Sequence, residues 1–219
     1  MRIETVEIKL YKFEELQESA RETVKRELFN GVRDTDIFYE GFKFDLQELF
    51  PNSSLDLQFS FSCCQGDGVN VYGTLVLSDM AKIILKSLEQ YTEKKNLSEK
   101  ELNRYRRFLN NVTHENGFCN IKLESNGRYT YSLKTQSNFV ESTKEDIINN
   151  IFEYWIEIDE KTDKIITVFA ENIQEYFSSY EKQIEDAGNE YFLQDIPDDE
   201  MQEYCDANEY EFTVDGKIY

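Results

Sequence analysis

Residues 55–62 read LDLQFSFS and alternate without a break. Leu55, Leu57, Phe59 and Phe61 fall on one side, and Asp56, Gln58, Ser60 and Ser62 on the other. A two-residue period of this kind makes a strand with one face in a core. After the connection CQGDG, VNVYGTLVL resumes the alternation through Val69, Val71, Leu75 and Leu77. Two such runs around a short glycine-rich link predict an antiparallel hairpin.

A second hairpin is predicted where FCNIKLES and RYTYSLKT flank Asn126-Gly127, a strong type I′ turn signal. The opening ETVEIKLYKF, with Val6, Ile8 and Leu10 in phase, predicts a further strand. Between and after these runs the period changes to that of helices. Leu16, Ala20, Val24 and Leu28 recur every four residues until Asn30 and Gly31. TDIFYEGFKFDLQELF predicts a helix capped by Asp34 and closed by Pro51, with Phe38, Phe42, Leu46 and Leu49 inward. SDMAKIILKSLEQY predicts one capped by Ser78 or Asp79. NLSEKELNRYRRFLNNV carries the capping box Ser98 with Glu101, and STKEDIINNIFEYWIEI another, Ser142 with Glu145. Ile165, Phe169, Ile173, Tyr176, Tyr180 and Ile184 predict a helix ending near Gly188, and IPDDEMQEYC a short one entered through Pro197. EYEFTVDGKIY predicts a strand and an Asp215-Gly216 turn. The class expected is α+β: an antiparallel sheet of two hairpins and the N-terminal strand, covered by helices. Residues 1–139 form the expected sheet-containing part, and 140–219 an acidic, mainly helical part docked on it.

The charge supports that division. Residues 140–219 hold 23 Asp and Glu against five Lys, whereas residues 1–139 hold 21 acids and 19 bases, so the last third carries nearly all of the net −20. No run approaches the roughly 20 apolar residues of a membrane span, and the N-terminus has charges every few residues in place of a signal peptide, so a cytoplasmic protein is expected. Cys63, Cys64, Cys119 and Cys205 lack chelating spacing, and the single histidine, His114, sits in the loop-like NNVTHENG. Paired-histidine metal chemistry is thereby excluded, and neither metal nor cofactor is expected.

The connection Gln65-Gly66-Asp67-Gly68 admits two readings. Glycines around an aspartate can expose amides to an anion or place one carboxylate by a metal. The same residues are what a bulged hairpin turn needs, because glycine supplies positive φ and aspartate tolerates the bend. One carboxylate is too few for a two-metal nuclease, so the turn reading is preferred.

Three blocks, LYKFEELQESARETVKREL, SCCQGDGV and YCDANEYEFTVDGKIY, which stand in order from one end of the chain to the other, resemble a broad family of bacteriophage and prophage accessory proteins. Gln17, where serine is commoner, and Cys63-Cys64 before Gln65 are small departures. Members are often described as antitoxin-like, and the setting includes anti-CRISPR proteins. The resemblance implies a phage protein that inhibits a host nucleic-acid-dependent defence complex.

The acidic third gives that expectation a mechanism. Glu153 with Glu157, Glu171 with Glu175, and Glu181 with Glu185 are like charges four apart, each pair costing about 0.2–0.5 kcal/mol in a helix. Displayed outward with Tyr176 and Tyr180, and with Tyr191, Tyr204 and Tyr210, they would compete for a basic groove that otherwise holds nucleic acid. The expected partner is a basic nucleic-acid-binding protein, such as a CRISPR effector nuclease, with no membrane and no direct nucleic-acid contact. Two other classes remain open: a nuclease or modifying enzyme using Gln65 and Asp67, and an antitoxin-like module. Lys100, Arg104 and Arg107, with Arg106 nearby, form a cationic flank that could meet phosphates, although internal pairing with the acidic third is the preferred reading.

Overall fold

The structure is a computed structural model that describes residues 7–61, 68–114, 120–124, 138–151 and 159–219. Among these the protein is α+β, with helices and a three-stranded antiparallel sheet. Two compact units divide the chain, Met1–Phe38 with Glu190–Tyr219 (the terminal unit) and Tyr39–Asn189 (the middle unit). Residues 139 and 140, where the sequence reading set its seam, lie together inside one helix of the middle unit.

In the middle unit the sheet is β1 (Ser54–Ser60), β2 (Gly68–Val76) and β3 (Asn120–Leu123), with β2 in the centre. Leu57 faces Val71, Phe59 faces Val69 and Ile121 faces Leu75, so the apolar faces anticipated from alternation fall in register. Gly73 stands between Leu55 and Leu123 with φ +123°, and a Cβ there would lie 2.2 Å from the Ser54 carbonyl oxygen. The close approach of β1 therefore requires glycine. The CQGDG link lies outside the described residues apart from Gly68, which opens β2 with φ +147°. The return strand expected around 128–134 also lies outside them.

Helices cover this sheet. The second helix of the chain, α2 (Thr35–Leu49), follows α1 (Glu18–Val32) and brings Leu46 to the core. Phe50, just past its end, is buried in place of Leu49, which is 41% exposed. The run after β2 is two helices, α3 (Leu77–Lys86) and α4 (Leu88–Thr92), broken at Ser87. Asp79 does not cap α3, whose first residue is Leu77. It is buried, and accepts hydrogen bonds from Asn52 N (3.0 Å), Asn52 Nδ2 (2.7 Å) and Ser53 Oγ (3.0 Å). The helix α5 (Glu99–His114) starts as expected: Ser98 N donates to Glu101 Oε2 at 2.7 Å and Glu101 N to Ser98 Oγ at 3.4 Å. Its buried face is Tyr105, Leu109 and Val112.

The next helix, α6 (Phe139–Ile151), begins earlier than Ser142, whose hydroxyl donates back to the Phe139 carbonyl at 3.1 Å. Ser142 with Glu145 is therefore no cap, because Phe139, Thr143 and Ile147 form a buried stripe that extends the helix upstream. The long helix α7 (Glu160–Leu193) continues through Gly188. A Cβ at Gly188 would lie 2.0 Å from the Phe61 ring, so this glycine serves packing and does not end the helix.

In the terminal unit α1 buries Ala20, Val24 and Leu28, with Leu16 just ahead of it, against Ile196, Phe212 and α8 (Asp198–Ala207). Asp34 Oδ1 accepts the Asp36 amide at 2.7 Å, the anticipated cap of α2. Gly31 lies within α1 because the Tyr204 ring fills the space a Cβ would need. Residues 7–10 form no strand. Tyr11 makes a single antiparallel bridge with Phe212, which bridges Ile218 across the Asp215-Gly216 turn, where Gly216 has φ +83°. No described helix is long and apolar enough to cross a membrane.

Candidate functional site

Of the acidic pairs read from the sequence, Glu153 and Glu157 lie outside the described residues, as do Gln65, Gly66 and Asp67. The other four glutamates are on α7 and do not form one outward surface. Glu181 is 1% exposed, and its Oε1 accepts the Val71 backbone N–H at 3.0 Å and Asn70 Nδ2 at 3.4 Å. It is a structural acceptor within the middle unit, and the expectation that it is displayed is corrected. Glu171 and Glu175 share one cation: Lys95 Nζ donates to Glu171 Oε2 at 2.9 Å and Glu175 Oε1 at 2.6 Å. Burial alone would lower the Lys95 pKa, but Glu175 and Glu171 outweigh it and the pKa rises. Glu185 meets Lys182 at 3.0 Å, and Lys182 also meets Asp186 at 2.8 Å. Lys95 thus bridges the Glu171/Glu175 pair and relieves its i,i+4 repulsion, whereas Lys182 neutralises Glu185 and Asp186 and leaves Glu181 to its backbone contact.

Tyr176 and Tyr180 stand beside each other on α7, ring centroids 6.4 Å apart and nearly parallel. Tyr176 also packs edge-on against Phe50 and Phe177. With Tyr91, Lys94, Lys95 and Glu175 they line a hollow of about 430 Å³. Burial pushes the Tyr176 phenol up to about 12, and burial followed by the Asp45 carboxylate raises that of Tyr180. Both remain neutral phenols at physiological pH. The Tyr180 hydroxyl is buried and finds no hydrogen-bond partner among the described residues. Tyr191, Tyr204 and Tyr210 are not free anchors. The Tyr191 hydroxyl donates to the Val32 carbonyl at 3.1 Å, Tyr204 packs on Gly31, and Tyr210 packs on Phe212.

An acidic, aromatic face is instead found on α2. Phe44 is 59% exposed, off the inward stripe of the helix, and the ideal Cβ position of Gly41 meets nothing within 4 Å. Glu40 and Glu48 stand one turn to either side of Phe44, and Asp45 follows it; all three are exposed. The lysine of this stretch, Lys43, turns away to Asp56 at 2.8 Å and to the Tyr39 hydroxyl. Burial opposes ionisation of Asp56, but Lys43 and Tyr39 hold its pKa below the usual range. The cation of α2 is thus spent on β1, and its outer face keeps three carboxylates around an exposed phenyl ring. Sequence reasoning missed Phe44, although a phenylalanine out of phase with Phe38, Phe42 and Leu46 was the signal that could have found it.

Among the described residues no cluster of three or more His, Cys, Asp or Glu is placed to hold a metal. What the α2 face offers chemically is recognition: an apolar contact inside a ring of negative charge. No family model, no curated protein and no solved structure matches this chain.

Proposed function

We propose that the protein works by binding a basic partner through the outer face of α2, with Phe44 as the apolar contact and Glu40, Asp45 and Glu48 as its charged rim. The observation that carries this reading is the exposure of Phe44, 59%, among carboxylates while Lys43 is engaged elsewhere. An aromatic ring left in water has an unfavourable contact area that a partner can remove, and aromatic residues anchor many interfaces. The rim selects for lysine and arginine and speeds encounter with a positively charged surface. A net charge of −20 adds to the same attraction.

The partner is a basic nucleic-acid-binding protein, and the likeness to phage accessory proteins makes a CRISPR effector nuclease the partner class to test. Binding there would compete with guide or target nucleic acid for a cationic groove. The test measures inhibition of guided DNA cleavage by a panel of purified effectors over a salt series, with wild type, Phe44→Ala and the Glu40→Gln, Asp45→Asn, Glu48→Gln triple variant. Inhibition that falls with salt and is lost in both variants is expected. Inhibition unaffected by salt, or intact in both variants, overturns the reading.

A further inference from the structure

A second hollow in the middle unit, of about 510 Å³, collects cations in a chain dominated by acids. Lys100, Arg104 and Arg107 reach it from α5, and Lys161 from the first turn of α7. The three residues of α5 are at i, i+4 and i+7 and share one side, held in place because Tyr105, Leu109 and Val112 anchor the opposite side in the core.

The expected internal neutralisation by the acidic third is incomplete. Arg104 meets Asp159 only at 3.7 Å, with both side chains about half exposed. Glu101, the carboxylate in the lining, is already committed: Lys164 Nζ donates to it at 2.6 Å, and it accepts both the amide and the hydroxyl of Ser98. Lys100, Arg107 and Lys161 make no ion pair or hydrogen bond with any described residue. Asp159 feels Arg104 and Lys161 through space, yet Lys100, Arg107 and Lys161 have no ion-pair partner among the described residues, which makes the hollow a local positive site in a chain with 44 acids. The starts of both helices are capped by Ser98 and Asp159, so the positive charge offered here is that of side chains.

We propose that this hollow binds a compact oligophosphate, that is, a ligand carrying two or three linked phosphoryl groups. Lys100 to Arg107 spans about 10 Å along the helix axis at 1.5 Å per residue, so the cations are presented along a line suited to a row of linked phosphates. Guanidinium groups of Arg104 and Arg107 can each take two phosphate oxygens in parallel, and Asn103 adds a neutral donor at the rim. The size of the site also excludes a long polyanion. Charges beyond about 8 Å are screened at physiological ionic strength, so a small ligand feels the local cations, while an extended nucleic acid would run onto the acidic remainder.

The test is calorimetric titration of the full chain with inorganic triphosphate at two ionic strengths. Saturable binding at one site is expected, weaker at the higher salt, with orthophosphate much weaker. Arg107→Ala and Lys161→Ala should each weaken triphosphate about tenfold or more, as loss of a charge-assisted contact does. Lys86→Ala, an exposed lysine on α3 outside the hollow, should bind as wild type does, and thermal melts should show all variants folded. No saturable binding, equal weakening by Lys86→Ala, orthophosphate binding as tightly as triphosphate, or tighter binding of a single-stranded 20-nucleotide DNA would each overturn the proposal.

Discussion

Glu181 on α7 takes the backbone N–H of Val71 on β2 at 3.0 Å. Among the described residues β3 pairs with β2 over Gly73–Val76, and Val71 lies beyond that stretch. There a carboxylate from α7 takes up the amide of the central strand. Buried backbone donors left without an acceptor are costly, which explains an acid at 1% exposure on the face of α7 that also buries Phe177 and Ile184.

Replacing that acceptor should therefore cost stability and leave recognition alone. Glu181→Leu strands the Val71 amide and is expected to lower the unfolding free energy by about 1–3 kcal/mol, read from urea midpoints. Glu181→Gln retains an acceptor oxygen and should cost less. Equal loss in the two variants would show that the hydrogen bond is not what the site needs.

Helical glycines should respond in opposite directions. Gly41→Ala fills open space on α2 and is expected to stabilise by about 0.5–1 kcal/mol, the usual helix-propensity gain. Gly188→Ala has the same gain available but places Cβ 2.0 Å from the Phe61 ring, which itself stacks on Phe59 at 5.4 Å. Overpacking of this kind costs about 1–3 kcal/mol, so the net sign is destabilising. Thermal melts of the two variants side by side check both.

The Glu101 carboxylate is held at about 2, against an ordinary 4.5, by Lys164 first and then by the Ser98 hydroxyl and amide. A carboxyl depressed in the folded state adds stability above its unfolded value and loses it as pH falls through the folded one. Its contribution should be complete above about pH 5 and fade between the unfolded value of 4.5 and about 2. Carbon-detected NMR titration of the Glu101 carboxyl should place the midpoint in the lower part of that window. In Glu101→Gln the stability-versus-pH curve should be flatter there.

Arg33 is expected to be intolerant of lysine. Its Nη2 donates to Glu200 Oε2 at 2.8 Å and its Nη1 to Oε1, and the guanidinium lies 5.0 Å over the Tyr191 ring. Only a planar fork makes the paired contact and the stack together. Arg33→Lys and Arg33→Ala should both lower the melting temperature of the protein, with lysine recovering less than half of the loss. Near-complete recovery by lysine would reduce the contact to simple charge.

What could be read in advance was what is local. The β1–β2 hairpin follows from a two-residue period, and the Asp34 and Ser98 caps from a donor and acceptor two or three residues apart. Gly31 and Gly188 were misread as stops because a helix-ending glycine and one pressed by a ring look alike until Tyr204 and Phe61 are in place. The acid pairs of α7 gave a warning of repulsion that was sound, yet its remedy, Lys95, comes from 76 and 80 residues away. For the same reason the proposed contact face lies on α2 and not on α7. Which carboxylates lack a cation is a property of distant lysines, and only Phe44, out of phase with its neighbours, marked the place in the sequence.

Asp79 joins the segment that leads into β1 to the helix that leaves β2, since it holds Asn52 and Ser53 while Ser53 Oγ accepts the Val76 amide at 2.9 Å. The open end of the hairpin is thereby closed by side chains. Fraying there must break several bonds to one carboxylate at once, so the amides of Asn52 and Val76 should exchange with deuterium as a single cooperative unit.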